Sequence, residues 1–243
     1  MDLTSLNGHI VPYDPAQYLY TTNSHNKVSR QAKIVGSANI MLGGKVIIHP
    51  RAVIRGDLAR AVRVASSTTA ATASVSGGTG EGSGQPESKG VERIVISTGR
   101  YCVIGEGVVL RPPWRVYKGV FSYYPSKTGD FVHIGANSVV ESQQLGSHID
   151  IGKDCIIGRY VVIKDSVRLL DGSVVPSNAT IPSGQIWGGN PARPLAQLPE
   201  DWAEMHQERC RDYYSRFRPR AGPTGGATAA ASSGAAGSTA RRE

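Results

Sequence analysis

Eight apolar residues stand six apart without a break: Leu145, Ile151, Ile157, Ile163, Leu169, Val175, Ile181 and Trp187. A step of six matches neither the 3.6 of an amphipathic helix nor the 2 of a half-buried strand, so neither element alone can sustain the run. A solenoid can. Each hexad then supplies one short parallel strand and a turn, three hexads close a triangular coil of about 18 residues, and the aliphatic side chains point into the prism. An earlier run, Ile34, Ile40, Val46, Ala52, Leu58 and Val64, keeps the same step, and so does a middle one, Ile96, Cys102, Val108 and Trp114. Small or β-branched residues recur four places on, as at Cys155, Val161, Val167 and Ala179. Glycines follow the aliphatic position at Gly36, Gly135, Gly146, Gly152 and Gly158, where the backbone is expected to turn tightly or adopt positive φ. The expected fold is all-β, a parallel β-helix of about six coils.

Two segments interrupt the rhythm. Residues 65–92 are almost wholly Ser, Thr, Ala, Gly and charge, too polar to bury, and read as a disordered insert at one corner. Residues 111–130 carry prolines, cations and five aromatic rings, and read as an ordered loop whose rings pack on the prism or on a partner. The expected division is an N-terminal arm (1–30), the β-helix (31–192), a helix packed on it (193–218) and a low-complexity tail (219–243). Pro199, Glu200 and Asp201 suit the first turn of that helix, with Trp202, Met205, Arg209, Tyr213 and Phe217 on one face.

The bulk numbers exclude several classes. Net charge is +8, but it is scattered, so no nucleic-acid partner is expected. The three cysteines lack a CxxC pair and support neither a disulfide framework nor a zinc knuckle. With no apolar run of about 18 residues and no secretory leader pattern, the reading is a cytoplasmic chain with no direct membrane insertion.

The hexads, together with VIRGDL (53–58) and GGNPAR (188–193), resemble the γ-carbonic anhydrase branch of the left-handed β-helix proteins. Three histidines hold a metal at a subunit boundary in that branch. Laid on TGRYCVIGEGVVLR and IGANSVVESQQLG, its pattern places the ligand positions at Arg111, Ala136 and Glu141. An Arg repels a divalent cation and one carboxylate does not replace three imidazoles. The six histidines (His9, His25, His49, His133, His148, His206) fall elsewhere and are expected on the surface or in turns. No catalytic residue, metal or cofactor is therefore expected.

A closer resemblance runs from about Tyr13 to Phe217. NKVSRQAKIVGSANIMLGGKVII, VVLRPPW, KGVFSYYP, CIIGRYVVIKD and DYYSRF are similar, in order and spacing, to the dynactin subunit 5 family. That resemblance implies a non-enzymatic pointed-end scaffold associated with the cytoskeleton. Its implied partners are dynactin subunit 6 (a second β-helix), the pointed-end actin-related protein, dynactin subunit 4 and dynein cargo adaptors. The alternatives are a γ-carbonic-anhydrase-type metalloenzyme and a hexapeptide acyltransferase. Interface candidates are Arg55 and Asp57, as a structural ion pair or an inter-subunit contact, and the loop residues Arg111, Trp114, Arg115, Tyr117, Lys118, Tyr123 and Tyr124.

Overall fold

The computed structural model describes residues 12–58 and 94–220. Residues 1–11 of the arm, the insert expected at 65–92 and the tail from 221 lie outside the described residues.

The chain is a left-handed β-helix with three parallel faces. The first face stacks Lys27–Ser29, Ile47–Ile48, Val103–Ile104, Val132–Ile134, Ile149–Ile151, Arg168–Leu169 and Gln185–Gly188. Antiparallel strands close this face at both ends, Tyr18–Tyr20 against Lys27–Ser29 and Arg193–Gln197 against Gln185–Gly188. The other two faces have six strands each among the described residues. The prism therefore begins at Lys27, inside the segment assigned to the arm. Capping strands satisfy backbone groups that an open end of the coil would leave unpaired.

Strand pairing defines the interior columns. On the first face Val28, Ile48, Ile104, Ile134, Ile151, Leu169 and Trp187 lie in register. On the second the column is Ile34, Ile54, Leu110, Val140, Ile157 and Val175. The third reads Leu42, Thr98, Thr128, Leu145, Ile163 and Ile181. From Leu145 onward these are the residues that the six-step selects. Before it they are not: among the described residues of the early run only Ile34 lies in a column, because the 3₁₀ turn Ser37–Asn39 adds two residues before Leu42. Val46, Ala52, Cys102 and Val108 occupy the companion inward position two residues ahead of the column, and all four are buried in the same core. Each large aliphatic side chain so enclosed stabilises the fold by about 1.5–3 kcal/mol.

The corners also differ from expectation. Among Gly36, Gly135, Gly146, Gly152 and Gly158, only Gly36 has positive φ. Gly135 is required for another reason: a Cβ there would sit 2.4 Å from the Gly152 carbonyl oxygen of the next coil. The left-handed conformation falls instead on side-chain-bearing residues. His25, Lys45, Tyr101, Phe131, His148 and Ser166, each three residues before a first-face column position, all have φ between 54 and 61°. Stacked coils impose this conformation, which costs an L residue roughly 1–2 kcal/mol, and in return they bring the corner rings together. Phe131 stacks on Tyr101 and His148, with centroids 5.3 Å apart in both pairs.

The helix, α1 (Trp202–Arg216), is shorter than the 193–218 expected, since Arg193–Gln197 is spent on the capping strand. Its buried residues are Trp202, His206 and Cys210, joined by Phe217 just beyond it. Met205 and Arg209, expected on the buried face, sit beside it half-buried. An i+4 step from Trp202 sets the contact line, and it runs over the Tyr101–Phe131–His148 stack.

Candidate functional site

Arg111 and Glu141 follow directly on Leu110 and Val140, which pair across neighbouring coils. The Arg111 guanidinium accordingly reaches the Glu141 carboxylate in a direct ion pair. Glu141 is 12% exposed at the side chain, so its charge is held by that cation. Ala136, the third position, is half-buried and has no group to offer a metal. These three residues do not fit a divalent cation. Among the described residues no group of three His, Cys, Asp or Glu side chains is arranged to hold one.

The loop expected between 111 and 130 folds as a hairpin, Trp114–Tyr117 against Val120–Tyr123. Lys118 and Gly119, both at positive φ, form the two-residue connection that suits the twist of such strands. Trp114 pairs with Tyr123 and Arg115 with Ser122. Two contacts seat the hairpin on the prism: the Arg159 guanidinium lies 4.1 Å from the Trp114 ring centroid, and Tyr124 meets Tyr160 edge-on at 5.6 Å. Val116 and Phe121 are 54% and 47% exposed, and Arg115 and Lys118 are also exposed. Tyr117 lies on the first strand of the hairpin. Only part of the aromatic loop therefore packs on the prism; its outer rim faces outward.

Arg55 and Asp57, at a corner of the second face, form a bidentate pair with contacts of 2.7 and 2.8 Å. The hydrogen bond between them raises the Arg55 pKa and lowers that of Asp57. The pair is local and partly exposed, and lies apart in sequence from the hairpin.

Two buried histidines correct the expectation that all six lie on the surface or in turns. His133 Nδ1 donates to Asp150 Oδ1 at 2.8 Å, and Arg168 approaches the other oxygen at 3.6 Å. Burial works to raise the Asp150 carboxyl, but the His133 hydrogen bond and the nearby cations prevail and hold it at about 2. His206 Nε2 donates to the Phe131 carbonyl at 2.9 Å. Burial pushes its pKa down to about 4, so the ring is neutral near pH 7. Nothing in the hexads marks His133, on the strand Val132–Ile134, whereas the one signal for His206 is its place four residues after Trp202 on α1.

Sequence reasoning also missed a cleft between the arm and α1. It has a volume of about 760 Å³, and its walls include Tyr18, Lys27, Lys45, Tyr101, Arg211 and Tyr214. Its residues come from both ends of the chain and one mid-prism corner, and no local motif joins them.

A three-faced prism of hexads with an outlying hairpin defines a protein of the left-handed β-helix class. The Bacillus cereus N-acyltransferase AntD shares this fold: a variant of it superimposes with a TM-score of 0.51 at 15% identity, over 81% of this chain and 98% of that one. Within the class, the profile of dynactin subunit 5 matches residues 89–222, 134 of the 243 residues, and the chain belongs to the dynactin subunit 5 family. A Dictyostelium discoideum dynactin subunit 5 is 30% identical over 135 residues, 56% of this chain and 50% of that protein. The chain thus spans half the length of that relative. Gamma carbonic anhydrase 1 of Arabidopsis thaliana, a mitochondrial protein, is 35% identical over 78 residues, 32% of this chain and 28% of the relative.

Proposed function

We propose that this chain is a non-enzymatic scaffold subunit at the pointed end of dynactin, in the cytoplasm and on the cytoskeleton. In this reading it pairs with dynactin subunit 6 and adjoins the pointed-end actin-related protein and dynactin subunit 4. Together they support cargo-adaptor engagement and dynein-driven movement along microtubules. The observation that carries the reading is the Arg111–Glu141 ion pair in a chain of the dynactin subunit 5 family. Two positions that would hold a metal in the carbonic anhydrase relatives here neutralise each other, which leaves a rigid prism with faces and ends for other proteins. The outward rim of the hairpin, with exposed Arg115, Val116, Lys118 and Phe121 beside half-buried Trp114 and Tyr123, has the aromatic and Arg composition of interface hot spots.

Affinity purification of the tagged full chain with mass spectrometry is the test. Dynactin subunits and a second β-helix protein are expected in the eluate; a clean homotrimer without them overturns the proposal. Metal analysis of the same preparation checks the other class. Stoichiometric zinc, iron or cobalt together with CO2 hydration establishes a metalloenzyme instead.

A further inference from the structure

The cleft between the arm and α1 combines an unusual charge balance with aromatic walls. Four of its lining residues are cations, Lys27, Lys45, Arg211 and Arg218, and none is Asp or Glu. Lys27 is 6% exposed. Its ammonium donates to the carbonyls of Tyr214 and Phe217 at 2.8 and 2.5 Å, and lies 3.8 Å from the Tyr214 ring centroid. It pins the C-terminal end of α1 through carbonyls rather than a carboxylate, and although burial, with Arg218 nearby, lowers its pKa to about 8, it is still mostly charged near pH 7. Lys45 and Arg211 approach one ring: Lys45 Nζ donates to the Tyr101 hydroxyl at 2.7 Å and lies 4.8 Å from its ring centroid, and the Arg211 guanidinium lies 5.8 Å from that centroid and 5.6 Å from that of Phe131. With no Asp or Glu among the lining residues, these cations give the cleft a positive potential that favours an anion. Burial pushes the Tyr18 and Tyr214 phenols up to about 12, so these two do not supply that anion.

The volume, about 760 Å³, falls in the range of about 300–1,000 Å³ that suits a small molecule. We propose that this cleft binds a nucleoside phosphate, its phosphates held by Lys45 and Arg211 and its flat base against the tyrosine walls. Lys and Arg are the side chains that hold phosphate oxygens, and tyrosine faces take any base by stacking. This site is separate from the hairpin and does not depend on assembly into dynactin.

The test is calorimetric titration of the purified full chain with ATP, ADP, adenosine, tripolyphosphate and a poly-glutamate peptide. Saturable one-site binding of ATP or ADP is expected, with adenosine and tripolyphosphate at least about tenfold weaker, since each lacks one half of the recognised group. Lys45→Ala and Arg211→Ala are each expected to weaken nucleotide binding about tenfold, equivalent to about 1.4 kcal/mol. Should either variant unfold, Tyr20→Ala, at a lining ring that is 51% exposed, is expected to weaken binding at an unchanged melting temperature. Absence of saturable nucleotide binding overturns the proposal. Tripolyphosphate binding as tightly as ATP also overturns it, as mere charge attraction, and poly-glutamate binding as tightly assigns the cleft to an acidic peptide instead.

Discussion

The seam under α1 and the hairpin at 114–123 both join aromatic rings to cations, yet they are built for opposite ends. In the seam Trp202, His206 and Cys210 are at most 2% exposed, and most of the polar groups there are engaged: Trp202 Nε1 donates to the His148 carbonyl at 3.1 Å, and Asp150 accepts from His133, while His206 Nδ1 is buried without a partner. In the hairpin Phe121 and Val116 stand half in solvent, and the only strands that pair are its own two. Burial decides the role. A sealed polar network fixes how the helix sits, because breaking it strands a charge away from water. An open aromatic rim contributes little to folding and keeps its surface for something else.

The contrast is most strongly tested at Asp150. Replacing it, as in Asp150→Ala, removes the partner of buried His133 and Arg168 and is expected to cost about 3–5 kcal/mol in urea unfolding. Acid should attack the same seam. The folded pKa values of His206 and His49 are lowered to about 4, by burial first in each case, so the unfolded chain binds protons more readily than the folded one. Stability is then fully present above pH 6.5 and is lost as pH falls toward 4, on the order of 3 kcal/mol at most for each ring. Asp150, held at about 2, adds a further loss below about pH 4. Unfolding midpoints measured from pH 7.5 to 3.5 should fall in that order, with a shallower slope in His206→Gln.

The hairpin should behave in the reverse way. Phe121→Ala combined with Arg115→Ala, both at exposed rim positions, is expected to reduce recovery of dynactin subunits about tenfold while the melting temperature stays within about 2 °C; an equal loss of stability would make the rim core packing. Smallest is the Arg111–Glu141 pair, half-exposed on the arginine side. A double-mutant cycle in urea should give a coupling of about 1 kcal/mol, and a coupling near zero would remove the pair as the reason Glu141 is tolerated in its place.

How much of this was legible depends on which coil is read. From Leu145 to Trp187 no residue is inserted, and the step of six returns the columns residue for residue. In the first half it returns inward positions but not the columns, because the companion position two residues earlier also points inward and also repeats every six. Periodicity cannot separate the two; only pairing, such as Ile48 beside Ile104, does so. The third column was the least legible, since Thr98 and Thr128 stand in it where the insert and the hairpin re-enter the prism. Arg55 and Asp57 could be paired from their spacing, whereas the Arg111–Glu141 pair spans thirty positions and needed the coil to bring it together.

The sequence by itself determined the architecture, because a hexad of aliphatic residues can be buried only by closing a triangular coil on itself. It also determined that the chain leaves the prism after Arg111, since the prolines and rings break the hexad, but not where it returns: Ser126–Thr128, inside the expected 111–130 loop, is already a strand of the third face. The tertiary structure alone decided which histidines are buried, which corner residues take the left-handed conformation and how four cations meet five tyrosines beside α1. Those outcomes depend on stacking residues from separate coils at one height along the prism. That height is set by every insertion before them, a sum over the whole chain that no local pattern records.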